Sequence, residues 1–233
     1  MKIKSVLSAL TLATVATAAQ AQTASVEITN LTQGIYFTPL LVSAHVGEFH
    51  LFETGSAASP ELQMMAEGGD ISGLVAAATA MGAANVENPA AGLLAPGTST
   101  NIEALDTGSN GFLSITAMLL PTNDGFVGLD AWKIPTEPGS YTLYLNAYDA
   151  GTEANNELLV EGSGAPFVAG IPANPGANGG VGGIGITAEE VNQQVHIHRG
   201  NIGDTDPDAG SSDLDARIHR WLNPVAKVVV TVQ

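Results

Sequence analysis

The chain has 233 residues, of which 23 are acidic and 7 are basic, so its formal net charge at neutral pH is −16. Such a charge repels polyanions, which excludes nucleic acids and acidic lipid surfaces as natural partners and favours cations. A solubilising acidic coat explains the same charge equally well. The chain has no cysteine, so no disulfide bond stabilises it.

Residues 1–21 have the pattern of a secretory signal peptide. Lys2 and Lys4 precede an apolar stretch over 6–18, and small residues form a cleavage pattern that ends at Ala21. The apolar stretch is short for a membrane span and is interrupted by serine and threonine residues. We therefore expect cleavage near Ala21 and a secreted or periplasmic mature chain. Loss of the two lysines leaves 5 basic against 23 acidic residues, a formal charge of −18.

Two strands are predicted at the start of the mature chain. Polar and apolar residues alternate over 25–31, where β-branched residues are concentrated, and this predicts a strand with one buried face. Val26 and Ile28 are expected to begin the core. The mostly apolar run over 35–46 predicts a second strand, which Pro39 places at an edge or a bend.

Helical signals follow the second strand. Ser59 precedes Pro60, and a serine N-cap before a proline at the first helical position predicts a short helix. Ser72 is predicted to cap a second short helix that ends at Met81. No segment after residue 21 is long and apolar enough to predict a membrane span in the mature chain.

Six further strands are predicted, separated by turn-forming residues. Short, regularly spaced strands indicate an antiparallel β-sandwich, so the predicted fold is mostly β with one or two short helices after the second strand. One domain over residues 24–233 is long enough to bury its own core. The six predicted strands cover residues 101–106, 112–120, 126–132, 141–148, 194–198 and 225–232.

Two long loops are predicted in the second half of the chain. Residues 162–185 are poor in charge and crowded with glycine, proline, alanine and asparagine, which is typical of a surface loop. Residues 203–215 carry five acidic side chains within thirteen residues. That second loop lacks the ordered ligand spacing of an EF-hand, so a solvated acidic loop is the preferred interpretation.

Two short segments place acidic side chains just after strand-like runs. The sequence PTNDGFVGLD over 121–130 contains Asp124, and YDAGTE over 148–153 contains Asp149 and Glu153. Because successive strands alternate in direction, Asp124 and Asp149 are expected at the same pole, and an intervening glycine lets Glu153 turn back toward them. Neighbouring carboxylates repel one another unless a cation neutralises them or one is protonated. Calcium suits them better than magnesium, because it accepts an irregular set of roughly six to eight oxygens from flexible loops.

A purely structural role for these acids is the alternative. Aspartate side chains near turns often accept hydrogen bonds from nearby backbone N–H groups, and such capping needs no metal ion. Asp130 is a weaker candidate ligand than Asp124, because it follows by six residues and falls within the predicted return strand.

Both acidic segments resemble signatures of the spondin amino-terminal domain family, whose usual forms are P-S/T-x-D-x-F-V-G and D-A-G-T-D/E. The chain departs from the animal form of the pattern at Gly125, where an aromatic residue is common, and at Glu153, where aspartate is common. Four other segments follow the family pattern in order, at residues 26–30, 39–45, 56–62 and 224–230.

The resemblance implies a C2-like β-sandwich that binds one calcium ion through Asp124, Asp149 and Glu153. It also implies a non-catalytic adhesion or recognition module of the cell envelope or the extracellular space. The expected partner is a surface glycan, another envelope protein or a second copy of the chain, and not a nucleic acid.

The histidines support an alternative function. His196 and His198 are two residues apart on a predicted strand and so share one face, and His219 is a further imidazole that could approach them. Such a pair is compatible with a zinc- or copper-binding envelope protein. No cysteine or carboxylate of clear spacing completes a set of ligands for such an ion.

Catalysis is the third interpretation, as a hydrolase with an unrecognised site. The sequence has no Gly-x-Ser-x-Gly elbow, no His-Glu-x-x-His motif and no phosphate-binding glycine loop followed by lysine. The chain is therefore predicted not to be an enzyme.

Overall fold

The computed structural model describes residues 22–165 and 168–233. The expected signal peptide over 1–21 lies outside the described residues. The described residues contain ten strands and two helices. In chain order these are β1 (Thr23–Asn30), β2 (Tyr36–Phe37), β3 (Leu41–His45), α1 (Pro60–Gly68), α2 (Ser72–Ala80), β4 (Ala84–Glu87), β5 (Ser99–Asp106), β6 (Phe112–Leu120), β7 (Gly125–Lys133), β8 (Gly139–Asp149), β9 (His196–Ile197) and β10 (Ala226–Val232).

The strands form one antiparallel sheet that curls on itself. Their order across the sheet is β4-β3-β6-β7-β8-β10-β1-β5, and β2 and β9 pair with β6 and β8 respectively. The two ends of this path, β4 and β5, approach each other, so the sheet is nearly closed. The predicted sandwich-like, mostly β fold with two short helices is confirmed. Across the described part of the chain, no helix combines the length and apolar character needed to cross a bilayer.

The first of two buried clusters lies inside the curled sheet. It includes Val26 and Ile28 from β1 and Val228 and Val230 from β10. Alternate residues of β1 are buried, which confirms the inward orientation predicted for Val26 and Ile28, exposed by 0% and 1%. Full burial of each such side chain contributes roughly 1.5–3 kcal/mol before the loss of conformational entropy is subtracted.

The second cluster lies between the helices and the sheet. Its buried members include Leu62 and Met65 from α1, Met118 from β6, Phe126 from β7 and Val195 beside β9. This cluster holds the start of β7 and the segment before β9, which are the elements that border the candidate site.

The helix signals predicted one N-cap correctly and one wrongly. Ser59 caps α1, because its Oγ accepts a hydrogen bond of 3.1 Å from Leu62 N. Ser72 was predicted to cap α2, but it is the first helical residue, and Ile71 stands at the N-cap without a side-chain bond. The carboxylate of Asp70 accepts from Ser72 N at 2.8 Å, and a charged acceptor is stronger than a hydroxyl.

Two strand predictions differ from the structure. The predicted second strand over 35–46 is split into β2 and β3 at Pro39, and both pieces pair with β6. Strand β4 was not predicted, because it has only four residues and pairs only with β3. Pairing with β3 determines this strand, because an alternation of polar and apolar residues over only four positions is too short to predict it.

Candidate cation site

The β6–β7 turn and the end of β8 lie side by side at one pole of the sheet. Gly125 pairs with Asp149 across β7 and β8, and Ala150 N donates to Asp124 O at 3.2 Å. Asp124 and Asp149 are therefore neighbours, at the pole where the alternation of strands predicted them. Both are buried, with exposures of 0% and 2%. We call Asp124, Asp149 and Glu153 together the acidic pole.

One oxygen of Asp124 is bonded and the other is free. Oδ2 accepts hydrogen bonds from Thr152 N at 2.8 Å, Thr152 Oγ1 at 3.2 Å and Glu153 N at 3.1 Å. Oδ1 is buried and has no hydrogen-bond partner. Burial, and then repulsion from Asp149, raises the pKa of Asp124 to about 8. At neutral pH this carboxyl group is therefore neutralised either by a proton or by a cation.

Asp149 is more fully bonded than Asp124. Its Oδ1 accepts from Gly151 N at 2.9 Å and its Oδ2 accepts from Asn155 Nδ2 at 2.7 Å. Burial raises the pKa of Asp149, and these hydrogen bonds oppose that shift. Among the described residues, no lysine or arginine forms an ion pair with Asp124 or Asp149. In the part of the chain that the structure describes, the negative charge of the acidic pole therefore has no lysine or arginine to balance it.

Glu153 joins the acidic pole through its backbone, while its side chain is anchored elsewhere. Its Oε2 accepts from Gly170 N at 2.8 Å and from Asn123 Nδ2 at 3.3 Å. Its Oε1 is buried without a partner. Burial raises the pKa of Glu153 to about 7, and Glu67 adds repulsion. The structure thus brings Asp124 and Asp149 together, with the Glu153 carboxyl group held by a neighbouring loop.

These residues provide part of a ligand set for a hard cation. Within residues 22–165 and 168–233, no group of three or more histidine, aspartate or glutamate side chains is arranged to hold a metal ion by itself. Calcium also accepts backbone carbonyls, amide oxygens and water, so two carboxylates can suffice when other oxygens lie nearby. The buried free oxygen of Asp124, beside the carboxylate of Asp149, therefore fits the chemistry of calcium.

Two glycines make the acidic pole possible. Gly151 has φ +72°, and a Cβ there would lie 2.7 Å from the backbone of Gln193 and Gln194. Only a glycine at position 151 lets the backbone of residues 193–194 pass so close to the turn after Asp149. A Cβ on Gly125 would lie 2.8 Å from Thr122 Oγ1 and 3.1 Å from His198 Cδ2. The glycine that departs from the family pattern therefore makes room for an imidazole.

The two histidines of the predicted pair both face Asp149. Their Nε2 atoms lie 3.8 Å (His196) and 4.0 Å (His198) from Asp149 Oδ2. His198 Nδ1 accepts from Gly200 N at 2.9 Å, so the neutral ring carries its proton on Nε2. Burial lowers the pKa of His198 to about 3. His198 therefore points an N–H group toward Asp149, and in this tautomer Nε2 is not a metal ligand.

His196 has the opposite tautomer. Its Nδ1 donates to Gln194 O at 2.8 Å, which leaves Nε2 of the neutral ring as an acceptor. His219 lies in a different setting, where its Nδ1 accepts from Asp215 N at 3.0 Å. Of the three histidines considered as zinc or copper ligands, only His196 thus has a nitrogen lone pair available at Asp149.

Several polar residues of the site were not predicted as site residues. The amide of Asn123 binds Glu153, and the amide of Asn155 binds Asp149. The only signal for them is that each lies within a few residues of a predicted acid. Gly170 belongs to the long glycine-rich loop, and nothing in that loop's composition indicates its contact with Glu153.

A curled antiparallel sheet with a buried acidic pair in the loops at one pole defines a sandwich-like β fold with a candidate site in its loops. The family model described as Spondin_N matches residues 27–158, more than half of the chain, and shows that the chain belongs to the spondin amino-terminal domain family. The match contains the acidic pole and ends before His196. No curated protein matches the chain. Family membership indicates an extracellular or secreted recognition module, and the family is one of non-enzymatic extracellular modules.

Proposed function

We propose that this chain is an exported, calcium-binding adhesion or recognition module, with one domain over residues 24–233 after a signal peptide at 1–21. Asp124 and Asp149 supply calcium ligands, and Glu153 is the third carboxylate of the site. The observation that carries the proposal is Asp124 Oδ1, a buried carboxylate oxygen without a hydrogen-bond partner beside a second buried carboxylate. Bound calcium supplies the positive charge that these carboxylates lack.

The hydrogen bonds of the acidic pole orient its carboxylates for this role. Thr152 and Glu153 occupy Asp124 Oδ2 through their backbone N–H groups, which leaves Oδ1 as the free oxygen. Asp149 is fixed at both oxygens, because Gly151 N donates to Oδ1 and Asn155 Nδ2 donates to Oδ2. A site whose oxygens are already oriented binds a cation at a smaller entropic cost than mobile side chains do.

The recognition role follows from the loops that meet at the acidic pole. The β6–β7 turn, the loop after β8 and the segment before β9 all contact it, and loops held on a rigid sheet commonly carry binding functions. A partner in this proposal is a surface glycan, another envelope protein or a second copy of the chain. The acidic charge disfavours nucleic acids.

Thermal unfolding of the mature chain, with calcium and with a chelator, tests the proposal. At one hundred times Kd, ligand binding contributes about 2.7 kcal/mol, which raises Tm by roughly 5–10 °C in a domain of this size. Asp124→Asn and Asp149→Asn should remove this gain. Asp208→Asn is the matched control, because it removes one charge from the exposed loop over 203–215 and should keep the gain. Equal Tm values for the wild-type chain in calcium and in chelator would contradict the site.

One observation favours a second candidate, a zinc- or copper-binding envelope protein. His196 Nε2 is an available acceptor 3.8 Å from Asp149 Oδ2. The tautomer of His198 opposes this candidate. Metal analysis of the untagged chain separates the two functions, since calcium alone supports the first and stoichiometric zinc or copper supports the second.

A further inference from the structure

Residues 50–56 form a strap that contacts the segment beside the acidic pole. Gly55 N donates to Val195 O, and Val195 N donates to Ser56 O, each at 2.8 Å. Val195 immediately precedes β9, whose His196 pairs with Asp149. The strap therefore holds β9 on the side where His196 faces the acidic pole.

The other end of the strap is fixed to β7 by one carboxylate. Asp130 Oδ2 accepts from His50 Nδ1 at 2.5 Å, and Asp130 Oδ1 accepts from Leu51 N at 3.2 Å. Asp130 thus bonds both a side chain and the backbone at the start of the strap. It makes these contacts on the strap rather than at the acidic pole.

Phe52 packs the middle of the strap against the strands that carry the acidic pole. Its ring centroid lies 5.0 Å from that of Phe126 and 4.9 Å from that of Tyr148. Phe126 and Tyr148 pair with each other directly beside the Gly125 and Asp149 pair. A Cβ on Gly128 would lie 2.5 Å from the Phe52 ring, so this glycine provides the space for the ring. Continuous contacts therefore connect Asp130 to the acidic pole.

We propose that His50 and Asp130 form a pH-operated latch on this strap, which makes Asp130 a positioning residue for the cation site. This inference rests on the proposed function of Asp124 and Asp149. With His50 protonated, the bond to Asp130 joins two charged groups, whereas with His50 neutral only the acceptor is charged and the bond is weaker. When His50 loses its proton, the strap loosens, and the segment before β9 loses part of its support.

The groups around His50 set the direction of the pH dependence. The ionisable groups that face His50 are Asp130 from β7, His45 from β3 and Glu53 from the strap itself. The hydrogen bond to Asp130 raises the pKa of His50 above its usual value of 6.5. Burial lowers the pKa of His45. The latch is therefore complete below about pH 6.5, and its contribution is lost as the pH rises through the raised pKa of His50.

Hydrogen exchange tests the latch without calcium. Protection factors of the Gly55 and Val195 amides are measured by NMR on the chelator-treated mature chain at pH 6 and pH 8.5. We expect the wild type to be about threefold better protected than Asp130→Asn at pH 6 and about equally protected at pH 8.5, because titration of the acidic pole lowers protection in both proteins alike. Glu27→Gln removes one charge from the exposed surface of β1 and should behave as the wild type. Equal protection in Asp130→Asn and the wild type at pH 6 overturns the latch.

Calcium titration of the wild-type chain and His50→Gln tests the coupling to the acidic pole. Protonation of the carboxylates changes calcium affinity in both proteins alike, so the ratio of the two affinities isolates the latch. We expect His50→Gln to bind calcium about twofold to fivefold more weakly at pH 6 and equally at pH 8.5. Equal affinities at every pH overturn the coupling. If neither protein binds calcium, the proposed function and the coupling fail together, whereas hydrogen exchange decides the latch independently.

Discussion

The acidic pole and the loop over 203–215 are both rich in aspartate, yet their carboxylates have different surroundings. Asp124 is buried with one oxygen free, whereas Asp206 is exposed and accepts backbone N–H groups of its own loop. Asp204 likewise accepts from Ser211 N and Ser212 N. The number of acidic residues is higher in the loop, so acid count alone does not mark a binding site. Burial and an unused oxygen distinguish the acidic pole.

The turn that builds the acidic pole depends on Gly151, and its replacement is expected to have a large effect on stability. Gly151→Ala places a side chain at φ +72° and a Cβ 2.7 Å from neighbouring backbone, so we expect a loss of about 2–4 kcal/mol in the free energy of unfolding. Denaturant titration measures this loss. Gly108→Ala is the matched control, because Gly108 also has a positive φ of +57° but has no atom within 4 Å of its Cβ. It should cost about 1 kcal/mol, and equal losses for both variants would contradict the close approach.

Burial of Asp124 makes the stability of the chain depend on pH. The folded state raises the pKa of Asp124 from 3.8 to about 8, so the protonated carboxyl group is favoured in the folded chain. The calcium-free chain should therefore lose stability as the pH rises from about 4 to about 8. Calcium should reduce that loss, and Asp124→Asn should reduce it without calcium. Thermal melts at several pH values measure the effect, and a calcium-free chain whose stability rises over this range would contradict the buried charge.

The smallest expected effect lies in the loop over 203–215. Asp206→Asn keeps an oxygen acceptor for the backbone N–H groups of Asp208 and Ala209, and it removes an exposed charge. We expect the free energy of unfolding to change by no more than about 0.5 kcal/mol, with the calcium-dependent gain in Tm intact. A larger change, or loss of the gain, would show that this loop contributes to cation binding.

Much of the acidic pole could be predicted from short-range signals. The alternation of strands predicted that Asp124 and Asp149 share one pole, and the two strands indeed pair beside them. The glycine after Asp149 predicted a sharp turn, and its φ is positive. The direction of the Glu153 side chain could not be predicted, because Gly170, which binds it, comes from a loop without regular periodicity. The tautomers of His196 and His198 depend on backbone contacts that spacing does not reveal.

The order of residues by itself determined the class of the fold, the helix cap at Ser59, the export signal as a hypothesis and the two acidic motifs. These features depend on periodicity and on residues that are close in the chain, so local chemistry specifies them. Only the tertiary structure decided which carboxylate oxygens are buried without partners, and that Asp130 connects to the acidic pole through residues 50–56. Those properties depend on contacts between residues tens of positions apart, which exist only after the sheet has curled and the loops have packed.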